Sequence, residues 1–248
     1  MTEQTSEHRA PDELPGGSTD LGPRGQEIAR NLARVRQRIA VAGGADLLPI
    51  TKFHVAEDLR VLTRLGVTAV GENREQEARD KNAQLAETGL QFHMVGQVQT
   101  KKANSVARWA AAVHTVDSLK LLNALDRGAG LALERGDRDS ALPVLLQFSA
   151  DGDPQRGGAV EADIDQLADA AAEAANLELR GLMTVPPLGV DPAAVFARGR
   201  QLVERISDRV LGAPVYSAGM SGDLEIAIAE GSTLVRVGTD IMGARPVL

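Results

Sequence analysis

The residues ITK at 50–52 close a short apolar run, and a helix-like stretch begins directly after them. Lysine is scarce here: Lys52, Lys81, Lys101, Lys102 and Lys120 stand against twenty-two arginines. An amine can shed its proton when desolvated and then condense with a carbonyl, whereas a guanidinium stays protonated. Lys52 at the end of a strand is therefore a candidate for imine chemistry; the alternative is a solvated strand-terminal lysine. A second candidate is SAGMSGDLEIAIAEG, 217–231, where Gly219-Met220-Ser221-Gly222 turns into a helix. The backbone N–H groups of such a turn form an anion cradle. Ser221 adds a hydroxyl, and Asp223 is placed to cap the helix; an ordinary glycine-rich turn is the plainer reading. The third is LVRVGTDIMGAR, 234–245, where Gly238 and Thr239 follow a strand and offer further donors. Arg236 shares a strand face with Gly238.

Other polar residues carry less. His93 shares a face with Val95 and reads as a wall residue of a barrel. His54 and His114 lack metal-ligand spacing, and no carboxylate pattern completes a site. Lys101-Lys102 opens a helix and reads as solvated, and Arg74, Glu75, Glu77 and Arg79 read as an exposed helical face.

The elements that must position these groups follow a rhythm. Ile28, Leu32, Val35 and Ile39 form one apolar stripe on a leading helix from Gln26, closed by Gly43-Gly44. Strand-like runs follow at 45–52, 68–73, 91–96, 111–118, 142–149, 178–185, 214–220 and 233–238. Helical patterns lie between them, near 56–65, 74–87, 98–109, 119–135, 160–176, 192–208 and 222–230. Strands that alternate with helices pair in parallel. Eight such units predict a (β/α)8 TIM-type barrel with an extra N-terminal helix. An open doubly wound sheet is the alternative, but no G-x-G-x-x-G is present. Barrel chemistry sits at the carboxyl ends of the strands, and phosphate is often held after strands seven and eight. Lys52 and both donor loops fall at such ends.

Composition bounds the rest. The 248 residues suffice for one large core. Aromatics make up 2%, so Ala, Val, Leu and Ile must fill it. The net charge of −7 speaks against a nucleic-acid partner. The absence of cysteine removes disulfides, thiolate metal sites and cysteine nucleophiles, and fits a cytoplasmic location. No signal-like segment opens the chain, and no window approaches the roughly 18 apolar residues of a membrane helix. Residues 1–24, with five acids, three prolines and three glycines, are expected to be a disordered tail, and 25–248 the barrel domain.

Taken together, the motifs resemble one family. They are ITK at 50–52, GEN at 71–73, FHMVGQVQTKK at 92–102, HTVDS at 114–118, RGLMTVP at 180–186, GMSGD at 219–223 and VRVGTDIMGAR at 235–245. Their order and spacing resemble the pyridoxal-phosphate homeostasis proteins, single-domain relatives of the alanine racemase N-terminal barrel. The resemblance implies that pyridoxal 5′-phosphate (PLP) is held as a Schiff base. By position, Lys52 matches the Schiff-base lysine, and Ser221, Gly238 and Thr239 the phosphate binders, with Ser217 as an extra. Arg236 matches the arginine facing the pyridine nitrogen, and Asn73 a residue lining the pocket. The chain departs from the family's Ser-Lys-Thr with Thr51-Lys52-Phe53, from its Asn-Lys with Lys101-Lys102, and from a lysine at Arg156.

The resemblance leaves enzyme and carrier to be separated. A racemase on this barrel needs a second acid/base, in alanine racemases a tyrosine from another domain of the partner subunit. Tyr216 is the only tyrosine, and no second domain is expected after residue 248. The expectation is a monomer that binds PLP and passes it to apo PLP-enzymes without catalysis. A PLP-dependent amino-acid racemase and a Schiff-base aldolase without PLP are the alternatives.

Overall fold

A computed structural model describes residues 21–153 and 155–244. The tail expected over 1–24 lies outside these residues up to position 20. Pro23 and Arg24, also expected in the tail, instead sit in the first turn of α1 (Gly22–Val41). Proline is tolerated there because a first-turn N–H has no intrahelical acceptor.

The eight expected strands all form. They are β1 (Asp46–Pro49), β2 (Ala69–Glu72), β3 (Gln91–Met94), β4 (Ala112–Val116), β5 (Leu142–Phe148), β6 (Leu177–Thr184), β7 (Val215–Ser217) and β8 (Leu234–Val237). Between them run α2 (Ala56–Arg64), α3 (Glu75–Gln84), α4 (Ala103–Trp109), α5 (Leu119–Glu134), α6 (Ile164–Glu173), α7 (Pro192–Arg205) and α8 (Leu224–Ala229). A short α9 (Thr239–Met242) follows β8, where the sequence suggested only a donor loop.

All pairings are parallel, in the order β1-β8-β7-β6-β5-β4-β3-β2. An Ile50–Gly71 bridge brings the two outermost strands, β1 and β2, together, making a (β/α)8 barrel. A Cβ at Gly71 would stand 2.5 Å from Ile50 Cδ1, so any larger residue there would have to displace the tip of the Ile50 side chain. The apolar core lies between the strands and the helices. The stripe Ile28, Leu32, Val35 and Ile39 is buried as the spacing predicts. The barrel axis is by contrast polar: His93, His114, Ser217 and Arg236 meet there. No described helix is long and apolar enough to cross a membrane.

Candidate functional site

The turn that carries Lys52 begins where β1 hands over to its bridge. Thr51 N–H donates to Gly71 O at 3.1 Å, and His54 N–H closes the turn on Thr51 O at 3.1 Å. Phe53 between them has φ 70°, in the left-handed region that a bulky residue rarely adopts. Such a conformation persists only when its surroundings hold it. Glu77 Oε1 accepts the Phe53 N–H at 2.5 Å, and the Arg74 guanidinium lies 4.7 Å over the Phe53 ring.

Beneath the turn is a buried ionic knot. Lys81 Nζ donates to Thr51 O at 2.8 Å, Glu72 Oε1 at 2.7 Å and Glu77 Oε1 at 2.7 Å. Thr51 Oγ1 also donates to Glu72 Oε1, at 2.7 Å. Glu72 is fully buried, and burial pushes its carboxyl above the usual range against the pull of Lys81. Glu75 and Glu77, expected on a solvated face, are both engaged: Glu75 pairs with Lys102 at 3.1 Å, so Lys102 is not simply solvated. The sequence offered one signal for Lys81, its rarity, the same signal that singled out Lys52.

Across the mouth stand the two donor loops. β7 ends at Ser217, and Gly219 then adopts φ 90°, turning the chain toward α8. Asp223 stands at the N-cap of α8 as expected, but its side chain does not cap the helix; its Oδ1 accepts the Met220 N–H at 2.6 Å and tightens the turn itself. Arg38 of α1 clamps both loops. It donates to Ser221 O at 3.0 Å, to Glu225 Oε1 at 2.6 Å and to Asp240 Oδ2 at 2.6 Å. α1 also reaches the far end of α9: Asn31 Nδ2 donates to Ile241 O at 3.2 Å and Arg24 to Met242 O at 2.7 Å.

Lys52, Ser221, Arg236, Gly238 and Thr239 converge on one cavity of about 260 Å³, with His54 and Gly222 also in its wall. No carboxylate is among its lining residues. Arg236 is only 4% exposed, and it donates to two neutral oxygens, Ser217 Oγ at 2.7 Å and Thr184 O at 3.0 Å. Burial lowers its guanidinium to about 10, which leaves it charged at neutral pH. Asp223 offsets part of its desolvation from a distance without a salt bridge, and a bound anion would offset more. His54, also in the wall, is buried with its Nδ1 3.5 Å from Asp58 Oδ2. A Cβ at Gly222 would meet no atom within 4 Å, so that wall is left open. Amine, guanidinium, hydroxyl and loop amides thus suit a small anion that carries an electrophilic carbonyl.

Two of the expected residues lie elsewhere. Ser217 points into the barrel between Arg236 and His114 and is not in the cavity wall. Asn73 is also absent from that wall, and its buried Oδ1 has no partner. A larger cavity of about 520 Å³ opens at the amino ends of the strands, but its lining brings no lysine or loop-amide cradle together. Among the described residues no group of His, Asp and Glu could hold a metal ion.

Residues 24–246 match the family described as alanine racemase, N-terminal domain. The pyridoxal phosphate homeostasis protein of Corynebacterium glutamicum is 52% identical over 220 residues, 88% of this chain and 99% of the relative. Among solved structures, PipY of Synechococcus elongatus PCC7942 without PLP superposes with a TM-score of 0.78 at 33% identity, covering 87% of this chain and all of that one. PipY with PLP bound gives 0.76 at 32% identity, with the same coverage.

Proposed function

The chain belongs to the pyridoxal phosphate homeostasis proteins, built on the alanine racemase N-terminal domain, and on that premise we propose that it binds PLP as a Schiff base on Lys52 and serves the intracellular supply of that cofactor. One observation carries the reading. The buried Arg236, whose hydrogen-bond partners Ser217 and Thr184 are neutral, shares one cavity with Lys52 and the two donor loops.

Ser221 and the amides near Gly238 and Thr239 hold the phosphate, and Gly222 keeps room for it. Lys52 supplies the amine, on a turn fixed from below by Lys81 and Glu77. By the family resemblance Arg236 would face the pyridine nitrogen of bound PLP, and its charge would disfavour protonation there by like-charge repulsion. Bound PLP supplies an electron sink in enzymes, and an unprotonated ring is a weak one.

The protein is a carrier that hands PLP to apo PLP-enzymes, works as a monomer and catalyses no reaction of its own. The geometry of Tyr216 favours this over a racemase. Its hydroxyl donates to Phe196 O at 2.9 Å inside the core, and burial pushes its phenol well above the ordinary value. A group so placed cannot serve as the second base.

The test is borohydride reduction of the PLP-treated protein followed by peptide mass spectrometry. A pyridoxyl group on Lys52, and its loss in Lys52→Ala, is the expected result. Modification at Lys81, Lys101, Lys102 or Lys120 with Lys52 unmodified overturns the assignment. Turnover-dependent exchange of the α-deuterium of amino acids would favour the racemase.

A further inference from the structure

The polar file along the barrel axis belongs to no part of the reading above except its first residue, Arg236. It begins at Arg236 on β8. Arg236 Nη1 lies 2.7 Å from Ser217 Oγ on β7. Ser217 Oγ lies 3.4 Å from His114 Nδ1 on β4, across the pore. His114 Nε2 lies 3.0 Å from His93 Nδ1 on β3. The two rings meet edge to face, with centroids 5.2 Å apart. Both histidines also line the cavity at the amino-terminal mouth.

Hydrogen-bonding capacity gives this file a direction. A guanidinium can only donate, so Ser217 Oγ accepts from Arg236. Ser217 is fully buried, and the one acceptor its own hydrogen can reach is His114 Nδ1. The opposite order would put the proton on His114 Nδ1 and leave a buried hydroxyl hydrogen with no acceptor, which costs the full desolvation of that group. His114 therefore carries its proton on Nε2 and gives that hydrogen bond to His93 Nδ1. His93 then carries its proton on Nε2, toward the amino-terminal cavity. Two neutral rings are what the site permits, since a second cation would face Arg236 in the same pore; burial lowers both imidazoles in keeping with this.

We propose that Ser217, His114 and His93 are positioning residues for Arg236: a one-way file of hydrogen bonds that starts at its guanidinium, fixes both imidazole tautomers, and ends at the opposite mouth of the barrel. The guanidinium is anchored from behind by Ser217 and Thr184, and its remaining N–H groups are left for the occupant of the carboxyl-terminal cavity.

The test reads tautomers directly, by long-range nitrogen–proton NMR of the histidine side chains in the full chain near neutral pH. It is run without ligand first, so its outcome does not depend on PLP being the ligand. Both His114 and His93 are expected as the Nε2–H form. An Nδ1–H proton on either ring overturns the proposal. Ser217→Ala should release the file and let both rings mix tautomers; two unchanged single tautomers in that variant would also overturn it. A second arm rests on the PLP reading. Ser217→Ala should shift the absorbance maximum of bound PLP and speed its release by about 3- to 10-fold, the loss of one hydrogen bond at Arg236. His114→Val should do the same, with His114→Asn, which keeps an acceptor toward Ser217, restoring most of the retention. An unshifted band in both Ser217→Ala and His114→Val refutes the link to Arg236 even if the tautomers are as expected. Failure to bind PLP at all, with the tautomers as expected, counts against the PLP reading alone.

Discussion

Replacing Lys81 with methionine isolates the knot beneath the Lys52 turn. The change keeps side-chain length and removes the charge. Lys81 is 6% exposed and satisfies Thr51 O, Glu72 Oε1 and Glu77 Oε1 at 2.7–2.8 Å. Its loss leaves the fully buried Glu72 carboxylate with Thr51 Oγ1 as its remaining donor. Breaking a buried pair on one side costs about 3–5 kcal/mol, because the surviving charge is stranded. Against a total stability of about 5–15 kcal/mol, that is a large shift in urea midpoint at pH 7.5. The double variant Glu72→Leu/Lys81→Met removes the stranded charge and should recover part of the loss. The sign with pH follows from Glu72. Burial already raises its pKa, and Lys81 is the largest opposing influence, so Lys81→Met raises it further. A carboxyl with a raised folded pKa opposes folding above that pKa, and the penalty fades as pH falls through it toward the unfolded value. The deficit should therefore shrink in mild acid. A loss below about 1 kcal/mol at pH 7.5, or a deficit that does not change with pH, would refute the account.

Three further outcomes are expected. His93, lowered by burial to about 4 against an unfolded value of about 6.5, contributes stability that is full above the unfolded value and is lost as pH falls toward 4, up to about 3 kcal/mol; in urea titrations, His93→Phe should flatten the stability curve across that window. Gly222→Val should change folding stability by less than about 0.5 kcal/mol, since nothing lies within 4 Å of its added Cβ, yet lower PLP retention measured by dialysis. Arg38→Ala should cost only about 1 kcal/mol in global stability, because its carboxylate partners are part-exposed, while amide hydrogen exchange speeds up at 219–225 and 238–243.

Much of the barrel was legible because parallel strands buried on both faces read as short apolar runs, and because helix and strand periods alternate cleanly. Lys52 and both donor loops stood out for a related reason: each falls where a strand run stops. The Lys81 knot did not, because it joins the turn after β1 to β2 and α3 and exists only once α3 packs back under that turn. Glu77 and Lys81 stand four apart, which on a bare helix signifies a solvated pair. Ser217 is expected only through the family resemblance, as an extra phosphate binder, and the structure sets it in the pore against Arg236 and His114. Arg38 was invisible among the arginines spaced between the apolar positions of α1. Nothing local to α1 says that its polar face meets loops near the other end of the chain.

The halves of the cavity are written far apart, the amine at position 52 and the two loops at 219–243, and β1 and β8 are hydrogen-bonded neighbours in the ring. During synthesis, the amine leaves the ribosome long before the strand that must stand beside it. A nascent chain that has reached only β6 carries the lysine without the loops proposed to hold a phosphate. On the proposed reading, durable capture of an aldehyde would await the final strand and the Arg38 clamp across its loop, and a ligand retained in this cavity would mark a polypeptide whose circle is complete.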